Sequence, residues 1–141
     1  MTIAVAHSDT DEGRAALVAA AGEASARGTD LLVLHLVDEP TTDSATDLVP
    51  VDVVEAATAA VRTVLDGADV PAVAWQLRTA NDGHDPAGAL VDLLVETGAE
   101  LLVLGSRRRS AIGKLIMGST VQRVVLDSPV PVLVVKAATK A

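Results

Sequence analysis

Five apolar runs of strand length alternate with four segments of helical composition along this chain. The predicted strands are 3–6, 30–37, 71–78, 99–105 and 129–136, and the predicted helices are 14–28, 51–67, 86–98 and 119–128. Strands that alternate with helices indicate a parallel sheet with helices on both faces. The strands are almost continuously apolar, as expected when both faces of a sheet are buried.

Right-handed crossovers leave few topologies for such a chain. We therefore predict an α/β fold in which residues 1–141 form a single-domain doubly wound five-stranded parallel sheet, and we assign it the commonest order of such sheets. Its strand order would be 3-2-1-4-5, with helices on both faces. Ligands of such sheets bind outside the carboxyl ends of the strands at the topological switch point, here between strands 1 and 4.

Composition limits the class of protein. The 141 residues contain 50% hydrophobic and 21% charged side chains, no Cys, no Phe, no Tyr and one Trp. The core is therefore expected to consist of Val, Leu, Ile and Ala, and thiolate chemistry is excluded. We see neither a signal peptide nor an apolar run near the roughly 20 residues that span a bilayer, so we expect a cytoplasmic protein with no membrane partner. A net charge of -8 argues against a nucleic acid partner.

Local signals predict several element ends. Asp9 with Glu12 resembles a helix start, and Asp85 before Pro86 resembles another. Gly28 and Gly98 stand where helices end. Trp75, in the predicted third strand, is expected to be a core residue or a partner contact.

One segment of this acidic chain is strongly basic. Residues 105–119 read GSRRRSAIGKLIMGS, with Gly105 and Gly118 near its ends. The segment does not match the phosphate-binding G-x-x-x-x-G-K-[ST] pattern, and no G-x-G-x-x-G follows strand 1. A charge run is usually a solvated loop, but this one lies at the predicted switch point. The N–H groups, hydroxyls and dipole of the helix that begins at Gly118 favour an anion there.

The histidines allow two interpretations. His7, at the end of strand 1, either bonds to the backbone or contacts a ligand. His35 lies inside an apolar strand and is expected to be a hydrogen-bonded core histidine rather than a metal ligand, and His84 belongs to the turn before a helix. We predict no metal site and no catalytic residues, since neither a helical His pair nor a serine triad is evident.

The basic segment resembles the signature of the universal stress protein family, G-x2-G-x9-G-[ST], with Arg108 in the place of the second glycine. The stretches LHLVDEP, DPAGALVDLL and SPVPVLVVK also resemble this family, so the likeness covers essentially the whole chain. It implies the five-stranded fold above and, as in the family's nucleotide-binding members, ATP or AMP at the switch point. Mg²⁺ is a further candidate ligand beside ATP.

Carried over by position, the resemblance implies a nucleotide site around the carboxyl ends of strands 1, 2 and 4. Its residues would be His7, Ser8, Asp9, Val37, Leu104, Gly105, Arg107, Arg108, Gly118, Ser119 and Thr120. His7 stands where the family's binders usually carry Asp. Arg108 could obstruct the phosphates or bind them through its guanidinium.

Three functions follow from these observations. The first is a non-enzymatic stress-response regulator that binds an adenine nucleotide. The second is a dimeric interaction module without nucleotide. The third, an enzyme, lacks the expected H-x-G-H or S-G-G-x-D-S motif, so at most a weak ATPase is expected. The resemblance also implies a homodimer through the C-terminal strand, 131–136.

Overall fold

The structure, a computed structural model, describes residues 2–37, 49–106 and 118–137. In these residues the strands are β1 (Thr2–His7), β2 (Asp30–Val37), β3 (Trp75–Asn81), β4 (Leu101–Ser106) and β5 (Val132–Lys136). The helices are α1 (Asp11–Arg27), α2 (Val51–Gly67), α3 (Pro86–Thr97) and α4 (Ser119–Asp127). The strands form one parallel sheet in the order β3-β2-β1-β4-β5, which confirms the predicted topology.

Side chains alternate between the two faces of the sheet, and each face carries its own apolar cluster. Ile3, Val5 and Val33 pack on one face against α1 and α2. Ala4 and Leu102 pack on the other face against α3 and α4. The predicted fold, with helices on both faces, is therefore confirmed.

Helix α1 packs closely on the sheet because its buried side chains are small. Ala16, Ala20, Ala21 and Ala24 are all fully buried, together with Leu17. No aromatic side chain is needed at this interface, although Trp75 packs at the border of the same cluster. Trp75 is partly buried and packs against the core without belonging to it, so the choice between a core residue and a partner contact stays a prediction.

The helix ends were predicted with one error. The left-handed residues Gly28 and Gly98 end α1 and α3, and the Asp85 side chain accepts a hydrogen bond from the Gly88 backbone at 3.2 Å. The N-cap of α1, however, is Thr10 rather than Asp9: its hydroxyl accepts a hydrogen bond from the Gly13 N–H at 3.0 Å. Asp9 instead accepts a bond from Arg14.

Two edge strands begin later in the chain than predicted. β3 was predicted at 71–78 but begins at Trp75, because its ladder with β2 pairs Leu31 with Trp75 and continues to Val37 with Asn81. β2 ends at Val37 and β3 ends at its partner Asn81, so the ladder with β2 sets both ends of β3. β5 begins at Val132 rather than at residue 129, after a segment in which Pro131 has no N–H to donate.

Candidate functional site

The ladder between β1 and β4 stops before the two strands end. Its paired residues run from Ile3 with Leu101 to Val5 with Val103, whereas β1 continues to His7 and β4 continues to Ser106. The chain leaves β1 for α1 on one face and leaves β4 for α4 on the other. The carboxyl ends of β1 and β4, here called the β1/β4 crevice, are therefore the switch point at which such sheets bind ligands.

Gly105 lies in this crevice, and the structure shows what its missing side chain accommodates. A Cβ atom added there would lie 2.3 Å from the Glu12 carbonyl oxygen and 2.6 Å from its carbon. The first turn of α1 therefore packs directly on the backbone of β4. Close packing of helix on strand is a sufficient reason for this glycine, whether or not a phosphate approaches it.

Ser8 and Asp9 form the exposed turn that joins β1 to α1. The Ser8 and Thr10 hydroxyl oxygens are 2.8 Å apart, and Asp9 accepts a bond of 2.9 Å from the Arg14 guanidinium. A Cβ atom at Gly13 would collide with Ser8, so this turn is packed tightly against the helix that follows it. Both predicted site residues lie at the crevice with their side chains in water.

Ser106 is the buried polar residue of the crevice, and the sequence analysis missed it. Only 1% of its surface is exposed, and its hydroxyl has no hydrogen-bond partner among the residues that the structure describes. The signal available was a hydroxyl directly after the apolar run LLVLG. Buried polar atoms are nearly always paired, so an unpaired one calls for a specific explanation.

Helix α4 contributes the second predicted group of residues. Gly118 is its N-cap and makes no side-chain capping bond, while Ser119 and Thr120 form its first turn. The first N–H groups of any helix have no partner within that helix, and its dipole favours negative charge at this end. The start of α4 is therefore suited to an anion.

His7 and His35 face each other at the carboxyl ends of β1 and β2. They are direct partners in the parallel ladder, and their Nδ1 atoms are 3.1 Å apart. One imidazole must donate and the other accept, so the two rings adopt different tautomers. His35 was expected to be an ordinary core histidine, but its polar partner is the other histidine.

Desolvation lowers the pKa of His7 below the ordinary histidine value, and the neighbouring His35 lowers it further, while Asp9 acts in the opposite direction. Desolvation also lowers the pKa of His35. Both rings are therefore mainly neutral at pH 7, and the hydrogen bond itself needs one Nδ1 without a proton to accept it.

The remaining predicted site residues differ in which of their atoms are available to a ligand. The Val37 carbonyl oxygen already accepts a bond from the Asp82 N–H at 2.9 Å. Leu104 is 6% exposed and its side chain packs in the α3–α4 cluster, so only its backbone could reach a ligand. Arg107 and Arg108 lie outside the described residues.

The strand order and the helices on both faces define a doubly wound α/β protein whose switch point lies between β1 and β4. More particularly, the chain belongs to the universal stress protein family, whose model matches residues 1–136. It is 36% identical over 134 residues to a universal stress protein of Mycolicibacterium smegmatis, covering 95% of this chain and 96% of that one.

Solved structures of this family share the fold. A universal stress protein from Archaeoglobus fulgidus matches with a TM-score of 0.71 and 28% identity, covering 96% of this chain and 98% of that one. A universal stress protein in complex with cAMP matches with a TM-score of 0.70 and 21% identity, covering 98% of both chains. A universal stress protein from Archaeoglobus fulgidus in complex with dAMP matches with a TM-score of 0.66 and 24% identity, covering 96% of this chain and 98% of that one.

Two features are absent from the described residues. None of the helices in these ranges is long and apolar enough to cross a bilayer. Nor do these ranges contain three or more His, Cys, Asp or Glu side chains grouped around a possible metal position.

Proposed function

We propose that this chain is a non-enzymatic regulator of the stress response that binds an adenine nucleotide, ATP or AMP, in the β1/β4 crevice. The observation that carries this proposal is the buried Ser106 hydroxyl, which lacks a partner among the described residues. Leaving such a group unpaired costs about 1–3 kcal/mol, and a nucleotide phosphate oxygen would accept its hydrogen bond.

Two further observations support the nucleotide. Helix α4 begins at Gly118, which offers no side chain to cap its N–H groups, and it carries the hydroxyls of Ser119 and Thr120 in its first turn, an arrangement that favours phosphate. Two structures with the same fold hold cAMP and dAMP. Both ligands are adenine nucleotides, the class proposed for this chain.

Replacing Ser106 tests the proposal. Ser106→Ala removes a hydrogen bond to a charged group, worth about 1.5–3 kcal/mol, so the affinity for ATP or AMP should fall about ten- to hundredfold in titration calorimetry. The same variant without nucleotide should be as stable as the native chain or more so, because no existing protein bond among the described residues is lost.

Ser128→Ala is the matched control. The Ser128 hydroxyl donates to the Val130 carbonyl oxygen at 2.7 Å and accepts from the Val130 N–H at 3.1 Å. This control should lose stability but keep its nucleotide affinity. The absence of heat with millimolar ATP and AMP would refute the proposal, as would a Ser106→Ala variant that behaves like the control.

Arg107 and Arg108 are proposed to supply positive charge to the same phosphates. If the Arg108 guanidinium binds them, Arg108→Ala should weaken ATP binding by about 1.5–3 kcal/mol. If the side chain obstructs them instead, Arg108→Gly should strengthen binding. Repeating the titrations with and without Mg²⁺ tests whether the cation accompanies ATP. Unchanged affinity in both variants would remove Arg108 from the site.

We further propose that the regulator is a cytoplasmic homodimer that pairs through β5, over residues 131–136. β5 lies at an edge of the sheet, next to β4, and exposed edges of sheets are usually covered or paired. Leu133 of β5 is 38% exposed, and Leu126 of the adjoining helix α4 is 81% exposed. A two-fold axis would set two copies of the strand antiparallel.

Light scattering tests the dimer. A monomer at micromolar concentration would contradict the proposal. Leu133→Lys with Val135→Glu should disfavour self-pairing, whereas Gln76→Lys on β3, at the opposite edge, should leave the dimer intact. The exposed Leu126 and Leu133 also favour the second candidate function, a dimeric interaction module without nucleotide. A dimer that gives no heat with either nucleotide would establish that alternative.

A further inference from the structure

A second opening, here called the α2 cleft, lies between helix α2 and the carboxyl ends of β1 and β2. Its volume is about 360 Å³, and most of its surface is apolar. The polar residues among those that line it are His7, His35, Asp9 and Asp52. Two histidines and two acidic residues therefore border one opening, and Asp9 is already bonded to the Arg14 guanidinium.

The spacing of the two histidines matches that of neighbouring ligands on one metal ion. Their Nδ1 atoms are 3.1 Å apart. With metal–nitrogen distances of about 2.0–2.1 Å, that separation corresponds to an angle of about 100° at the metal. This angle lies between the values for square and tetrahedral coordination, and imidazole is a preferred ligand of zinc, copper and nickel.

We propose that His7 and His35 bind a late first-row divalent cation, Cu²⁺, Ni²⁺ or Zn²⁺, through their two Nδ1 atoms in the α2 cleft. The described part of the chain offers no third ligand grouped with them, so water fills the remaining positions. Asp9 lies close enough to act on His7 electrostatically, and its carboxylate also accepts a hydrogen bond from Arg14.

Binding needs one proton to move. In the free pair, one ring carries its proton on Nδ1 and donates it to the Nδ1 of the other ring. On binding, that proton passes through solvent to Nε2 of the same ring, so both Nδ1 lone pairs become available. The two imidazoles stay neutral, and no net proton is released when both start neutral.

Titration calorimetry of the untagged, EDTA-treated chain with ZnCl₂ or NiCl₂ alone tests the site. We expect one metal per chain, with the affinity lowered at least tenfold by His7→Ala and equally by His35→Ala. The chain contains three histidines, so His84→Asn is the matched control. His84 has a φ of 60°, which Asn tolerates, and this control should bind as the native chain does.

The Cu²⁺ electron paramagnetic resonance spectrum is an independent readout of the unsubstituted chain. Hyperfine coupling of Cu²⁺ to two nitrogens supports the site. This result does not depend on whether an alanine variant folds. Coupling to fewer than two nitrogens overturns the proposal. Failure to bind millimolar Zn²⁺ or Ni²⁺, or binding that survives either alanine substitution in a folded variant, overturns it as well. Because no nucleotide is present, these outcomes do not depend on the proposed nucleotide site.

Discussion

Gly105→Ala adds one methyl group at the tightest helix-on-strand contact of the β1/β4 crevice. The new Cβ would lie 2.3 Å from the Glu12 carbonyl oxygen, although real Cβ contacts are essentially never under 3.0 Å. The first turn of α1 would have to move by more than half an ångström. That turn cannot move alone, because Thr10 caps it and Gly13 packs against Ser8.

The cost follows from overpacking. Additional methyl groups in a packed interior typically cost about 1–3 kcal/mol. Unfolding entropy scales with length, and for 141 residues each kcal/mol corresponds to about 3–4 °C in the melting temperature. We therefore expect Gly105→Ala to lower the melting temperature by about 3–10 °C in the absence of any ligand.

Gly22→Ala is the matched control in thermal denaturation followed by circular dichroism. Gly22 lies inside α1, and a Cβ there meets nothing within 4 Å. Alanine is favoured over glycine in a helix interior by about 0.8–1.0 kcal/mol, so this variant should melt higher than the native chain. A Gly105→Ala variant that melts within about 1 °C of native and loses only nucleotide affinity would refute the packing argument.

Two further predictions concern the cap of α1 and the histidine pair. Thr10→Ala removes the bond to the Gly13 N–H and should cost about 0.5–2 kcal/mol in urea denaturation, whereas Thr63→Ala, which removes only an exposed bond within α2, should cost nothing measurable. Both histidine pKa values are lowered in the folded chain, so stability should fall as the pH drops through the ordinary histidine range and level off below the folded pKa values. The slope is at most about 1.4 kcal/mol per pH unit for each histidine. With EDTA present, a variant carrying His7→Asn and His35→Asn should show a shallower slope between pH 7.5 and 5.5, and an equal slope would contradict the assignment.

The architecture of this protein can be predicted from local patterns in its sequence. Apolar runs of strand length, separated by helical segments, suffice for a parallel sheet, and the commonest doubly wound order then supplied the correct strand order. Signals that act over three or four residues were also correct, since Asp85 begins α3 and Gly28 and Gly98 end helices. These features depend on backbone geometry and on residues that are near neighbours in the chain.

Features that depend on distant contacts could not be predicted in this way. The ends of β3 depend on its ladder with β2 rather than on its own residues.

The chemistry of the candidate site also required the tertiary structure. His7 and His35 are 28 residues apart in the chain, and the register of β1 and β2 brings their rings together. Likewise, the sequence shows a serine after an apolar run, but the packing of the sheet and its helices buries the Ser106 hydroxyl without a partner among the described residues. Periodicity predicts which face of an element is buried, whereas the atoms that meet there depend on how distant elements pack.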